Sequence, residues 1–213
     1  MDYILQTIEY LATGAWVSTK IFFVTLIFSF PLGILIAVLR KSNSKIVSKS
    51  ISFYTWLFRG TPLMLQLFLF MYGLPSIGIS VDRMMVAYIG FILNYAAYFT
   101  EIIRAGIESI PKDQYEASAV EGAHIGSIYR FIVLPQAIRK ELPTITNEVI
   151  TLIKDTALVT VIAISDILRN VKEIVSRDFT LSPFVLAAIF YLLFSFIIVK
   201  IFRKLEVKYD FLD

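Results

Sequence analysis

The chain has 213 residues, 57% of them hydrophobic and only 17% charged, with a mean hydropathy of +0.74, a formal net charge of +3 and no cysteine. So little polar surface cannot cover a water-soluble domain of this size, which leaves an integral membrane protein. Without cysteine there is no disulfide, no thiolate zinc site and no cysteine nucleophile. The basic residues sit beside apolar runs, the pattern of membrane topology rather than of a nucleic-acid binder. Asp2 and Glu9 near the start lack the basic opening of a secretory signal peptide.

A helix needs about 20 apolar residues to cross a bilayer. The first span is expected from about Trp16 to Leu39, with Lys20 snorkelling to the nearer surface and a kink at Pro31. Arg40, Lys41, Ser42, Asn43, Ser44, Lys45 and then Lys49 form a basic loop, which stays cytoplasmic and puts the N-terminus outside. The second span lies between about Ile51 and Leu74. Gly60 and Pro62 weaken its start, and Pro75 to Gly78 reads as an outer turn. The third span runs from about Met84 to Ile107, with Glu101 and Arg104 three apart near its inner end and able to pair.

Between Pro111 and Pro135 lies a charged segment, PKDQYEASAVEGAHIGSIYRFIVLP, flanked by long apolar runs. Its small residues suit close helix approach. Gly122 and Gly126 weaken a single long helix, so two short helices with a bend are expected. A fourth span is expected from about Leu142 to Ser165, with Pro143 near its start, where proline is tolerated, and Lys154 and Asp155 near its middle. Asp166 to Asp178 is a polar, mixed-charge outer stretch with helical content. The fifth span, from about Phe179 to Val199, is followed by Lys200, Arg203, Lys204 and Lys208. This map puts fourteen of the twenty Lys and Arg residues inside and five outside or at the outer edge. That bias supports five spans with the N-terminus outside and the C-terminus cytoplasmic. No internal repeat at a fixed period of 20–50 residues is present.

The charged segment resembles the EAA loop of bacterial ABC-importer permeases, written Glu-Ala-Ala, three residues, Gly, nine residues, Ile, one residue, Leu-Pro. Glu116, Ala117, Gly122, Ile132, Leu134 and Pro135 fall on the fixed positions. Ser118 replaces the second Ala and is still small. Three further segments, RGTPLMLQLF from Arg59, NYAAYFTEIIRAGIESIP from Asn94 and TLIKDTALVTVIA from Thr151, are similar to the polar-amino-acid subgroup. In the last of these, Ala157 stands where Ser is common. Together these resemblances cover most of the chain from Arg59 to Ser165.

The resemblance implies one all-α transmembrane permease domain over residues 1–213, with residues 111–135 as a cytoplasmic coupling loop between spans three and four. It implies that the loop docks into a groove on a separate ATPase subunit, through Glu116, Ala117, Gly122, Ile132, Leu134 and Pro135. His124, the only histidine, lies inside the loop and reads as a surface or docking residue. The partners implied are two ATP-binding cassette subunits that bind ATP and Mg, a second permease chain, identical or paralogous, and an extracytoplasmic amino-acid-binding protein. The place implied is the bacterial cytoplasmic (inner) membrane.

This chain contains no GxxxxGK[ST] phosphate loop, so it is not expected to bind ATP or any other cofactor itself. It also lacks H-E-x-x-H, and no Ser-His-Asp set can be placed, so it is not expected to be an enzyme. Charges near the bilayer centre are costly and usually face a cavity or a partner. Counting along the spans puts Thr61, Gln66, Asn94, Tyr98, Glu101, Lys154, Asp155 and Thr156 at comparable depth, as a candidate substrate path. A zwitterionic amino acid needs an anion for its ammonium, such as Glu101 or Asp155, and donors for its carboxylate, such as Lys154, Thr156 or Asn94. The structural alternative is that Lys154 pairs with Glu101, and Asp155 with Arg59 or Arg104, only to hold helices together. Two other classes stay open: an intramembrane enzyme or its membrane anchor, and a secondary transporter, with Glu101, Lys154 and Asp155 as acid–base or ion-coupling groups.

Overall fold

The computed structural model describes residues 2–42 and 44–209. Asn43 of the expected basic loop therefore lies outside the described residues. All regular structure among these residues is helical.

Helix α1, Asp2–Arg40, runs unbroken through Pro31. A proline inside a membrane helix is tolerated where neighbours re-satisfy the freed backbone. At about 1.5 Å per residue the helix is longer than the ~30 Å hydrocarbon layer, so its first turns reach beyond the expected first span.

Helix α2, Lys45–Gly60, is capped by Ser44, whose hydroxyl accepts from the Val47 amide at 3.5 Å. Pro62 cannot donate to the carbonyl of Phe58, so the helix stops there. The chain resumes as α3, Leu63–Phe68, passes through a π-helical turn at Leu69–Gly73 and ends as α4, Leu74–Ser76. The second expected span is thus a pair of helices bent by 102°.

Helix α5, Arg83–Glu108, is the centre of the molecule. Asp82 caps it, accepting from the amides of Met84 and Met85 at 2.9 and 3.2 Å. Phe91, Tyr95, Phe99 and Ile103, spaced at helical intervals, are fully or almost fully buried. Gly33 of α1 lets the two long helices meet: a Cβ there would stand 2.6 Å from the Phe99 Cβ.

The charged segment folds as α6, Lys112–Val120, then α7, Ile125–Ile128, a π-helical turn at Tyr129–Val133 and α8, Leu134–Lys140. The expected bend falls at Gly122, whose φ is +79°. Gly126 does not bend the chain but lies within the first turn of α7. Helix α9, Leu142–Asp155, tightens into a 3₁₀ stretch, Thr156–Ile162, that stops at Ala163 with φ 60°. The fourth expected span therefore changes winding at Thr156. Asp166 caps α10, Ile167–Asp178, and α11, Ser182–Tyr209, closes the fold.

Among the described residues, α1, α5 and α11 are each long and apolar enough to cross a bilayer, and the bent α2–α4 pair makes a fourth candidate. The main core lies where α5 meets α1, α3 and α9. There Ile21, Leu67, Leu152 and Ile153 are wholly buried. Most large side chains of α11 are instead exposed, as lipid or a second chain requires.

Candidate functional site

The break in α2–α3 opens the site. With Pro62 unable to serve it, the Phe58 carbonyl is taken by two buried amides, Gln66 Nε2 at 2.9 Å and Asn94 Nδ2 at 3.0 Å. Asn94 Nδ2 also donates to Gln66 Oε1 at 3.0 Å, and Gln66 Nε2 to Thr61 Oγ1 at 2.8 Å. This bracket pins the last turn of α2 against α5, since each buried polar group left unpaired would cost about 1–3 kcal/mol.

Beside the bracket lies a cleft of about 440 Å³. Arg59 and Thr61 at the α2–α3 break, Asn94 and Tyr98 of α5, and Glu148 and Asp155 of α9 line it. Glu148 and Asp155 are seven residues apart on α9, two turns along one face. Asp155 accepts from the Tyr95 hydroxyl at 2.7 Å. The Arg59 guanidinium lies over the Tyr98 ring, 5.4 Å from its centre. The lining therefore combines one delocalised cation and two carboxylates with hydroxyl and amide groups.

Of the expected substrate-path residues, Thr61, Asn94, Tyr98 and Asp155 line this cleft, and Gln66 stands behind Asn94. Three do not. Thr156 is wholly buried and donates to the Ile153 carbonyl at 2.7 Å. Lys154 is exposed on another face of α9, as the turn of about 100° between adjacent residues requires. Glu101 is drawn into a hub: it accepts from Arg40, from Thr55 Oγ1 at 2.8 Å and from Arg104 Nε at 2.8 Å, with Arg59 Nη1 at 3.9 Å. From there ion pairs run from Arg104 to Glu108 and, at 2.7 Å, from Glu108 to Lys41. The pairings Lys154–Glu101, Asp155–Arg59 and Asp155–Arg104 are not the ones formed. Arg40 at the end of α1 and Arg104 one turn along α5 reach Glu101 first. Sequence reasoning missed Glu148, Tyr95 and Arg59 as cleft residues. The seven-residue spacing of Glu148 and Asp155 was the available signal.

The charged segment forms a second surface. His124 caps α7, its Nδ1 accepting from the Gly126 amide at 3.2 Å. Gln136 Nε2 donates to Gln114 Oε1 at 2.8 Å, tying α6 to α8, and the Tyr115 and Tyr129 rings meet edge to face at 6.2 Å. Burial pushes both phenols above their ordinary range, so both stay neutral. Glu116, Ala117, Gly122 and His124 are exposed, whereas Ile132, Leu134 and Pro135 are half-buried against the segment's own base. Val120, 89% exposed, and Phe131, 69% exposed, present apolar surface that sequence reasoning did not single out. Among the described residues no three His, Asp or Glu side chains converge as metal ligands do.

Residues 29–209 match the family described as "Binding-protein-dependent transport system inner membrane component". The chain belongs to this family. Its relatives include the arginine transport system permease protein ArtQ of Bacillus subtilis, 36% identical over 206 residues that span 96% of this chain and 94% of that protein. They also include the histidine/lysine/arginine/ornithine transport system permease protein HisM of Salmonella typhimurium, 32% identical and spanning 95% of this chain and 91% of that protein. Among solved structures, a chain of an amino acid ABC transporter crystallised with histidines superposes with a TM-score of 0.87 at 28% identity, over 97% of both chains. The inward-facing MetNI methionine ABC transporter shares the fold, with a TM-score of 0.79 at 18% identity over 95% of this chain and 97% of that one.

Proposed function

We propose that this chain is the permease subunit of an ATP-driven importer for polar amino acids in a bacterial cytoplasmic membrane. The observation that carries the reading is the cleft: a chain of this transport family places a guanidinium and two carboxylates around a space of about 440 Å³. That set matches the two charged ends of an amino acid. Asp155 and Glu148 face the ammonium, with Asn94, Thr61 and Tyr98 as polar neighbours.

The bilayer is crossed five times, by α1, the bent α2–α4 pair, α5, α9 with its 3₁₀ extension, and α11. The N-terminus is outside and the C-terminus cytoplasmic, following the distribution of Lys and Arg. The segment 111–135 is then the cytoplasmic coupling loop. Its exposed face, with Glu116, Ala117, Gly122 and His124, docks on an ATP-binding cassette subunit. Ile132, Leu134 and Pro135 shape the base beneath it. ATP and Mg bind to that partner, which carries the hydrolysis. A second permease chain completes the membrane unit, and a binding protein outside delivers the substrate. ATP binding draws the ATPase pair together, and the coupling loops carry that motion to the helices around the cleft.

The test is uptake by the complex reconstituted in vesicles. Uptake of labelled polar amino acids should require ATP and a co-purifying ATPase. Asp155→Asn and Asn94→Ala should raise the half-saturating substrate concentration while the complex still assembles. Uptake driven by an ion gradient without ATP would instead support the secondary-transporter reading.

A further inference from the structure

We propose that the inner end of α11 is a binding site for the headgroup of an anionic phospholipid, held by Lys200, Arg203 and Lys204. The inference goes beyond the transport reading. Only the leaflet, the cytoplasmic one, rests on the orientation proposed above.

Helix α11 has two sides. Phe194, Ile198 and Phe202, four apart along it, pack on the main core. At about 100° per residue, Leu193, Phe196 and Ile197 fall on the other side, and all three are exposed. Lys200, Arg203 and Lys204 continue that side at intervals of three and four residues and are exposed as well. One stripe of the helix thus changes from apolar to cationic between Ile197 and Lys200.

The change falls at the depth where a bilayer changes. At about 1.5 Å per residue, Lys200 stands about 27 Å along α11 from Ser182, close to the ~30 Å of a hydrocarbon layer. Arg203 and Lys204 stand about 5 and 6 Å further, within the polar layer of headgroups. Among the described residues none of the three forms an ion pair. The basic residues at the inner ends of α1 and α5 differ: Arg40, Lys41 and Arg104 are taken by Glu101 and Glu108. Cations three and four apart on a helix repel one another, so the stripe favours an anion from outside the chain. Lipid supplies one at this depth. A second copy laid on the same face by a two-fold axis would set these cations against their own images. A phosphodiester suits the set, because the Arg203 fork pairs two of its oxygens and the lysines add point charges. A choline headgroup brings its own cation and gains little, so the site separates phosphatidylglycerol from phosphatidylcholine.

The experiment is a titration of the permease–ATPase complex, purified in neutral detergent, with short-chain phosphatidylglycerol or phosphatidylcholine. The rise of the thermal midpoint with added lipid reads the binding. The wild type should prefer phosphatidylglycerol, and each of Lys200→Gln, Arg203→Gln and Lys204→Gln should cut the preference roughly fivefold. The three together should abolish it, whereas Arg203→Lys, which keeps the charge, should keep most of it. Lys172→Gln, on α10 at the other end of the fold, should bind like the wild type. A midpoint equal to the wild type's without added lipid shows that a variant is folded. No preference in the wild type, or a triple variant that keeps it, overturns the site; if that variant also loses the ATPase, the cations belong to that subunit instead. Equal losses in Lys172→Gln and Arg203→Gln overturn it too, since the lipid then reads net charge alone. None of these outcomes bears on the cleft, which the uptake assay tests.

Discussion

Gly106 of α5 packs against the main-chain carbonyl of Ala137 on α8, so closely that a Cβ at position 106 would stand 2.8 Å from that oxygen. The Ala137 Cβ and the Glu141 Cγ would be 3.1 and 2.9 Å away. This is the seam where the chain, having left α5 to build the charged segment, returns to it. A glycine is required because the neighbour is backbone, which cannot rotate aside.

Gly106→Val should therefore destabilise the seam by about 1–3 kcal/mol or more, the usual range for overpacking. The measurement is the thermal midpoint of the purified complex, together with recovery of the ATPase in the same preparation. A midpoint equal to that of the wild type would contradict the geometry.

Gly122 poses the opposite case. Its φ of +79° suits glycine, yet nothing lies within 4 Å of where a Cβ would be. Within this chain a side chain there costs only backbone strain, about 1–2 kcal/mol for an L residue. Gly122→Asp should leave insertion and folding nearly intact but weaken docking of the ATPase, by steric and charge effects at the coupling face. Pull-down of the ATPase from solubilised membranes reads the effect. Undiminished recovery would remove Gly122 from the docking surface.

The orientation of the chain is open to a clean labelling test, since it has no native cysteine. Ser176 on α10 and Ser42 after α1 are both exposed. In intact cells a cysteine at position 176 should react with a membrane-impermeant maleimide, and one at position 42 should react only after the cells are broken. The reverse pattern would invert the five-span map.

The far end of the fold is held by two tyrosine–carboxylate contacts between α1 and α10. Tyr10 donates to Glu173 at 2.5 Å and Tyr3 to Asp178 at 3.0 Å. The Tyr10 hydrogen bond, then Arg169, hold the Glu173 carboxyl below its ordinary 4.5, and Arg177 foremost holds Asp178 below 3.8. A carboxylate whose pKa is depressed on folding adds stability above its unfolded value and loses it as pH falls through the folded value. The clasp is thus at full strength near neutrality and loosens below those values. Tyr10→Phe should lower the thermal midpoint by more near neutral pH than at a pH well below the ordinary 4.5 of the Glu173 carboxyl, where protonation removes the charge that the Tyr10 hydroxyl serves. A gap of the same size at both pH values would show that the hydrogen bond is not what Tyr10 contributes.

Much of this architecture is written locally. Long uncharged runs between Ile21 and Leu39, and from Met84 to Thr100, had to become membrane helices whatever surrounded them. The Lys and Arg bias and the spacing from Glu116 to Pro135 are likewise properties of the string itself. The pairing of Gly60 with Pro62 announced a weak point in the second span. What it could not supply was the bend of 102°, because the freed Phe58 carbonyl needed partners on α3 and α5 to settle there. The same holds for the charges. Depth along the spans placed Lys154 and Asp155 near one level with Glu101 about a turn lower, but which of them share a space depends on residues distant in the chain. Arg40, from the far end of α1, captured Glu101, while rotation around α9 turned Lys154 away and brought Glu148 in line with Asp155. Hydropathy and periodicity are sums over neighbours in sequence. Ion pairing falls off with distance in space, so only the packed helices could decide it.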